Sequence, residues 1–219
     1  MLHFLAKYDT RFYEMTLILK YWAKKNELID TSAFSTYGFT MLIIFFLQNT
    51  SPPVLPSIAL LQHLAKKQPG KQPIKVHKYH FEICDDVKMI GLSPNNQSTK
   101  ELIVDFFRLV AVSLIACFAY LSTTVFSISF SRFYITFDFY NYALSPRLGT
   151  TIQKFKLRKA KNDAQMENFN MASYICIEDP FVLEHNVGYT FRARNINRWN
   201  NQLRSVLYKA TYNNVIKVL

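Results

Sequence analysis

Two lysines, Lys20 and Lys24, stand one helical turn apart in KYWAKK, and Thr36-Tyr37-Gly38 follows after a short loop. On one helix face two ammonium groups repel each other by roughly 0.2–0.5 kcal/mol, so the pair suits an anion that touches both. A triphosphate is such an anion, because an ammonium meets phosphate oxygens as a compact point charge. A nearby tyrosine adds an aromatic plane, which stacks under a nucleobase for about 1–3 kcal/mol without reading its identity. Read alone, Lys20 and Lys24 are most simply a solvated helix face, and Tyr37 an ordinary aromatic at a helix start.

Further along, IEDPFVLEHNVG (177–188) holds Asp179 and His185. A histidine at a base edge supplies the directional hydrogen bond that stacking lacks; on its own it reads as a surface histidine. The segment KFKLRKAK (154–161) carries five cations in eight positions, among them Lys154, Lys156, Arg158 and Lys159. It suits an RNA backbone, supported by Arg192, Arg194, Arg198 and Arg204 downstream, because cations supply most of the affinity for phosphates. A nuclear-import signal or a solvated hairpin has the same composition. His77, His80 and Cys84 lack a fourth metal ligand.

Divalent-metal chemistry needs clustered carboxylates, and side chains two apart on a strand share a face. No two of the fifteen acids here are separated by two positions. Asp85-Asp86 and Glu178-Asp179 are adjacent, so on a strand each pair points to opposite sides. No Gly-Ser dipeptide occurs either.

These residues sit in a chain of 219 with 50% hydrophobic and 16% aromatic content, which argues for a packed core and against disorder. Five glycines are few for a β-rich or dinucleotide-binding fold, and the long apolar runs favour helices. A net charge of +11 points to an anionic partner, nucleic acid or a lipid surface. Three widely spaced cysteines, Cys84, Cys117 and Cys176, form no disulfide framework and suit a reducing, intracellular compartment; cytoplasm, nucleus and mitochondrion are not separated. The opening MLHFLAKYDTRFYEM has neither signal-peptide nor transit-peptide character and reads like the middle of a domain.

The positioning elements follow from periodicity. Residues 10–27 read as an amphipathic helix with Phe12, Met15, Leu19 and Trp22 buried, and Tyr13, Leu17, Lys20 and Lys24 on a second face. A central, all-apolar helix starts near Ser35-Thr36 and is stopped by Pro52-Pro53. Residues 66–80 read as a basic, proline-broken loop or edge strand. Ser98 and Glu101 form a capping box that opens ELIVDFFRL. FDFYNYALSPR reads as a strand and turn, and a polar helix is expected near 190–210. No charged residue occurs from Leu109 to Ser131. A run of that length can span a bilayer, but STTVFSISFS alternates like a strand, so a membrane span is disfavoured.

In order, KYWAKK, SAFSTYGFTMLIIFFLQ, SPPVLPS, NNQSTKELIVDFF, FDFYNYALSPRLG and IEDPFVLEHNVG resemble the terminal uridylyltransferase and mitochondrial/cytoplasmic poly(A) polymerase family. The match is to its central helical domain with the PAP-associated segment. The resemblance implies a mainly α fold with a small β element, part of a polymerase-β-like nucleotidyltransferase. It makes 1–108 with 137–210 one domain and 109–136 an apolar insertion, either a membrane segment or translated non-coding sequence, the latter preferred.

The resemblance also assigns roles. Lys20 and Lys24 match lysines on the β- and γ-phosphates of the incoming nucleotide, and Thr36 matches a serine on the same phosphates. Tyr37 matches the stacking tyrosine. His185 matches the histidine that favours uracil over adenine, with Asp179 a neighbouring acid. The substrates implied are UTP or ATP and an RNA 3′ end, with Mg²⁺ or Mn²⁺ as cofactor. The family carries its metal ligands on a preceding palm domain, so the catalytic carboxylates are expected to be missing here. Tyr189 stands where the family often has arginine. The implied function is the nucleotide- and RNA-binding part of a template-independent RNA 3′-terminal nucleotidyltransferase, uridylyl-preferring. The alternatives are adenylyl transfer, a catalytically inactive RNA- and nucleotide-binding fragment, or a basic membrane-tethered protein.

Overall fold

The computed structural model describes residues 1–30, 33–119, 138–159, 169, 171 and 173–212. Within them the chain is mainly α-helical, with two small antiparallel hairpins. Helix α1 (Leu2–Tyr8) leads through Asp9 into α2 (Thr10–Lys25). Asp9 accepts the Arg11 N–H at 3.0 Å and pairs with its guanidinium at 2.6 Å, so an amide with no partner inside the helix is satisfied. Arg11 also donates to the carbonyls of Asn95 and Gln97, both at 2.8 Å, and fastens the start of α2 to that loop. As the spacing predicts, Phe12, Met15, Leu19 and Trp22 are buried while Tyr13, Leu17 and Lys24 face out.

Helix α3 (Thr36–Gln48) is buried from Gly38 to its end and forms the centre of the core. It stops before the proline pair. Asn49 Nδ2 donates to the Phe45 carbonyl at 2.8 Å and Thr50 Oγ1 to that of Leu47 at 3.0 Å, so side chains, not prolines, satisfy the last carbonyls. Helix α4 (Ile58–Ala65) follows, capped by Ser57. The basic segment after it forms a hairpin, β1 (Lys75–Val76) with β2 (Tyr79–His80), and a short helix α5 (Val87–Ile90) comes next.

The capping box is present at the start of α6 (Thr99–Ala119): the Ser98 N–H donates to Glu101 at 2.8 Å and the Glu101 N–H to Ser98 Oγ at 3.3 Å. The boundary expected after Arg108 falls inside this helix, which runs unbroken to Ala119. Leu109 and Val110 are buried in the main core, where the apolar stripe of ELIVDFF continues. The remainder of the expected insertion, 120–136, lies outside the described residues. Among the described residues no helix is long and apolar enough to cross a membrane.

Strands β3 (Tyr142–Ser145) and β4 (Thr150–Gln153) pair antiparallel with Ala143 opposite Ile152, and α7 (Lys154–Lys159) follows directly. The last helix, α8 (Ala193–Tyr212), is not simply polar. Ile196, Trp199, Leu203 and Val206 recur at helical spacing and are buried. Trp199 sits edge-on to Trp22 and Phe34, each with ring centroids 6.1 Å apart, an arrangement favoured by the ring quadrupoles. Its indole N–H donates to the Leu28 carbonyl at 3.3 Å.

Candidate functional site

The start of α3 and the 177–188 segment are locked together. Ser35 caps α3 by accepting the Gly38 N–H at 2.9 Å, and its own hydroxyl donates to the Val187 carbonyl at 3.3 Å. A Cβ on Gly38 would lie 2.4 Å from that Val187 oxygen. Glycine therefore permits the approach. The segment itself is closed by backbone bonds: the Asp179 N–H donates to the His185 carbonyl at 3.0 Å, and the Val187 N–H to that of Ile177 at 3.0 Å. Asn186 Oδ1 accepts from Ile177 and Gly188, both at 2.9 Å. Asp179 Oδ1 accepts from the amides of Phe181 at 2.9 Å and Val182 at 3.0 Å, which shapes the turn.

This scaffold brings Tyr37, Asp179 and His185 together. The Tyr37 phenol lies beside the Asp179 carboxylate; burial first, then the carboxylate next to it, push the phenol well above its ordinary pKa. The ring is still 37% exposed. His185 Nδ1 faces Asp179 Oδ2 at 3.6 Å, and the imidazole is half-exposed. The Tyr189 ring lies 6.1 Å from it, centroid to centroid.

Lys20 and Lys24 come from α2, which packs against α3. Lys20 is half-buried and its ammonium pKa is lowered by burial, whereas Lys24 is exposed. Among the described residues neither has an ion-pair partner. Thr36 is exposed in the first turn of α3. No described hydrogen bond or ion pair joins these three side chains to the Tyr37–Asp179–His185 group.

The basic segment is less uniform than its composition. The Lys154 Nζ donates to the Phe139 carbonyl at 2.7 Å and lies beside Cys176, whose thiol pKa is raised by burial and opposed by that lysine. Lys154 is thus held against the fold, while Lys156 is exposed. Arg158 and Lys159 belong to α7, but their side chains, like those of Lys161 and Arg194, lie outside the described residues. Arg192, Arg198 and Arg204 are exposed, and Arg198 pairs with Glu27 at 3.3 Å.

One pair escaped the sequence reading. Buried Glu178 accepts from the Arg147 guanidinium at 3.0 and 3.2 Å and from the Ser145 hydroxyl. This two-pronged contact ties β3 to the 177–188 segment. The adjacency of Glu178 and Asp179 was the available signal, since neighbouring extended residues diverge: Glu178 turns to Arg147 and Asp179 to Tyr37. Among the described residues no three His, Cys, Asp or Glu gather to hold a metal ion. The described residues do not fit the divalent metals the resemblance implies.

Residues 100–185 match the family model of the PAP-associated segment, described as Cid1 family poly A polymerase. Poly(A) RNA polymerase cid13 of Schizosaccharomyces pombe is 29% identical over 185 residues, 83% of this chain and 26% of that protein. Terminal uridylyltransferase cid1 of the same yeast is 25% identical over 208 residues, 88% of this chain and 42% of that protein. The crystal structure of mtPAP in complex with UTP superposes with a TM-score of 0.70 at 19% identity, over 98% of this chain and 37% of the other. That likeness establishes the fold, shared with a part of that structure. The chain spans about a quarter of the first relative's length and two fifths of the second's. By sequence and by fold together, the chain is similar to a part of the Cid1-type poly(A) polymerases and terminal uridylyltransferases.

Proposed function

We propose that this chain grips the incoming nucleoside triphosphate and the RNA end of a template-independent terminal nucleotidyltransferase, and that it prefers uracil. The observation that supports this most is the Asp179 carboxylate shared between Tyr37 and His185. It holds the phenol hydroxyl inward, so the exposed ring serves as a stacking plane worth about 1–3 kcal/mol. It also favours the proton on His185 Nδ1, and a neutral imidazole then presents Nε2 as an acceptor. Uracil offers an N–H donor on its pairing edge where adenine offers an acceptor nitrogen, so this histidine reads uracil. Lys20 and Lys24, unpaired among the described residues, take the triphosphate, with the Thr36 hydroxyl beside them.

The RNA end lies along α7, with Lys156, Arg158 and Lys159 on its backbone and Lys154 supporting the hairpin behind them. Such binding weakens steeply with added salt. When bound, the metals supply activation of the 3′-hydroxyl and stabilisation of the departing pyrophosphate; their ligands are not assigned to this chain. RNA 3′ ends place the protein inside the cell.

Nucleotide titration tests the reading. UTP is expected to bind more tightly than ATP, with the preference lost in His185→Ala. Tighter ATP binding that His185→Ala leaves unchanged favours adenylyl transfer, which the poly(A) polymerase relatives keep in view. Residues 1–219 mixed with Mg²⁺, UTP and an oligoribonucleotide are expected to bind both ligands without extending the RNA.

A further inference from the structure

Glu184, the residue before His185, is held from outside its own loop. Its carboxylate accepts from the Tyr79 hydroxyl and pairs with Lys78 Nζ at 2.7 Å. Burial pushes the Glu184 carboxyl pKa up, but the bonds from Lys78 and Tyr79 outweigh it and leave it below the ordinary value. A second contact falls nearby: the Phe81 ring packs against Phe181 with centroids 5.2 Å apart. Both contacts come from the β1–β2 hairpin and the residue that follows it. Both land on the turn between Asp179 and His185.

The hairpin is built to present these groups. Val76 pairs with Tyr79 across a two-residue turn, where His77 adopts a left-handed φ of 55°. The Phe81 N–H donates to the Ile74 carbonyl at 2.9 Å and extends the pairing by one step. Lys78 is largely exposed, with its side chain 60% accessible, while that of Glu184 is 14% accessible. The ammonium therefore acts from the solvent side, and the part-buried Tyr79 hydroxyl is the more directional anchor.

We propose that the β1–β2 hairpin positions His185 through the Tyr79–Glu184–Lys78 contact and so sets how strictly the nucleotide site tells one base from another. Glu184 is then a positioning residue, and Tyr79 its anchor. This rests on the nucleotide reading above. A hydrogen bond to a base edge weakens steeply once its angle falls below about 120°. Stacking and phosphate attraction tolerate such errors. Lys20, Lys24 and Tyr37 stand on α2 and α3, placed by the helical core, so loosening the 179–185 turn degrades base choice ahead of triphosphate affinity.

The test uses the whole chain with Tyr79→Phe, Glu184→Gln and Lys78→Arg, titrated with UTP, ATP and inorganic tripolyphosphate, alongside amide hydrogen exchange. In Tyr79→Phe and Glu184→Gln the UTP-over-ATP ratio is expected to fall about fivefold, the worth of one aligned hydrogen bond. Tripolyphosphate affinity stays unchanged, and exchange at the Asp179 and His185 amides quickens while that of α3 does not. Lys78→Arg, which keeps the cation, behaves as the parent. A UTP preference that survives both variants, or exchange that stays the same in both, overturns the proposal alone. So does a parallel loss of tripolyphosphate binding. Parent protein that binds neither nucleotide overturns the nucleotide reading and this proposal with it.

Discussion

The Tyr37 phenol and the Asp179 carboxylate lie side by side, bringing the first turn of α3 to a turn that also carries His185. Tyr37, far off in sequence, and His185 face the same carboxylate. That sharing makes the site sensitive to how closely α3 approaches the 177–188 segment.

Gly38→Ala is the sharpest probe of the approach. In an open helix this change is worth about 1 kcal/mol of added stability. Here the new methyl would meet the Val187 backbone oxygen at 2.4 Å and the Phe34 ring at 2.9 Å. The expected result is net destabilisation in urea together with weaker nucleotide binding. A more stable variant with unchanged affinity would refute the account of this contact.

Lys20 is expected to trade stability for an anion. Its pKa is lowered by burial, so the unfolded chain holds that proton more firmly and the charged lysine weighs against folding at neutral pH. Lys20→Met is therefore expected to be at least as stable as the parent. Triphosphate affinity should drop about tenfold or more, the worth of a charge-assisted bond. Tripolyphosphate should raise the denaturation midpoint of the parent and not of the variant.

Tyr37 gives a pH signature of known sign. Its folded pKa is raised above the ordinary 10.0, so its contribution to stability is complete below that value and is lost as pH climbs through the folded one. Thermal melts on the alkaline side should decline less steeply for Tyr37→Phe than for the parent. Equal slopes would mean that the phenol is not buried beside Asp179 in solution.

Arg147 and Glu178 should behave as a buried pair. Arg147→Met leaves the Glu178 carboxylate buried without its cation, a loss of about 3–5 kcal/mol. Adding Glu178→Gln should recover part of that, because the uncompensated charge is gone. Urea denaturation of the single and double variants measures both steps.

Much of this architecture was legible in the chain. Apolar spacing marked α2, Ser35 and the Ser98–Glu101 box marked two helix starts, and the alternation of FDFYNYALSPR marked β3 and its turn. The C-terminal helix was read as polar because its buried stripe is thin: Ile196, Trp199, Leu203 and Val206 stand among many polar neighbours. Resemblance supplied Tyr37, Asp179 and His185 as candidates, while local spacing gave no reason to join them.

Sequence alone determined α2, the capped starts of α3 and α6, the excess of positive charge and the lack of any carboxylate pair spaced for metals. These depend on neighbours within a turn or two, or on simple counting. Tertiary structure decided which adjacent acid meets which partner, that Lys154 is tied down while Lys156 is not, and that the 75–80 hairpin reaches Glu184. Each of those depends on where distant backbone segments come to rest, and packing, not local periodicity, fixes that.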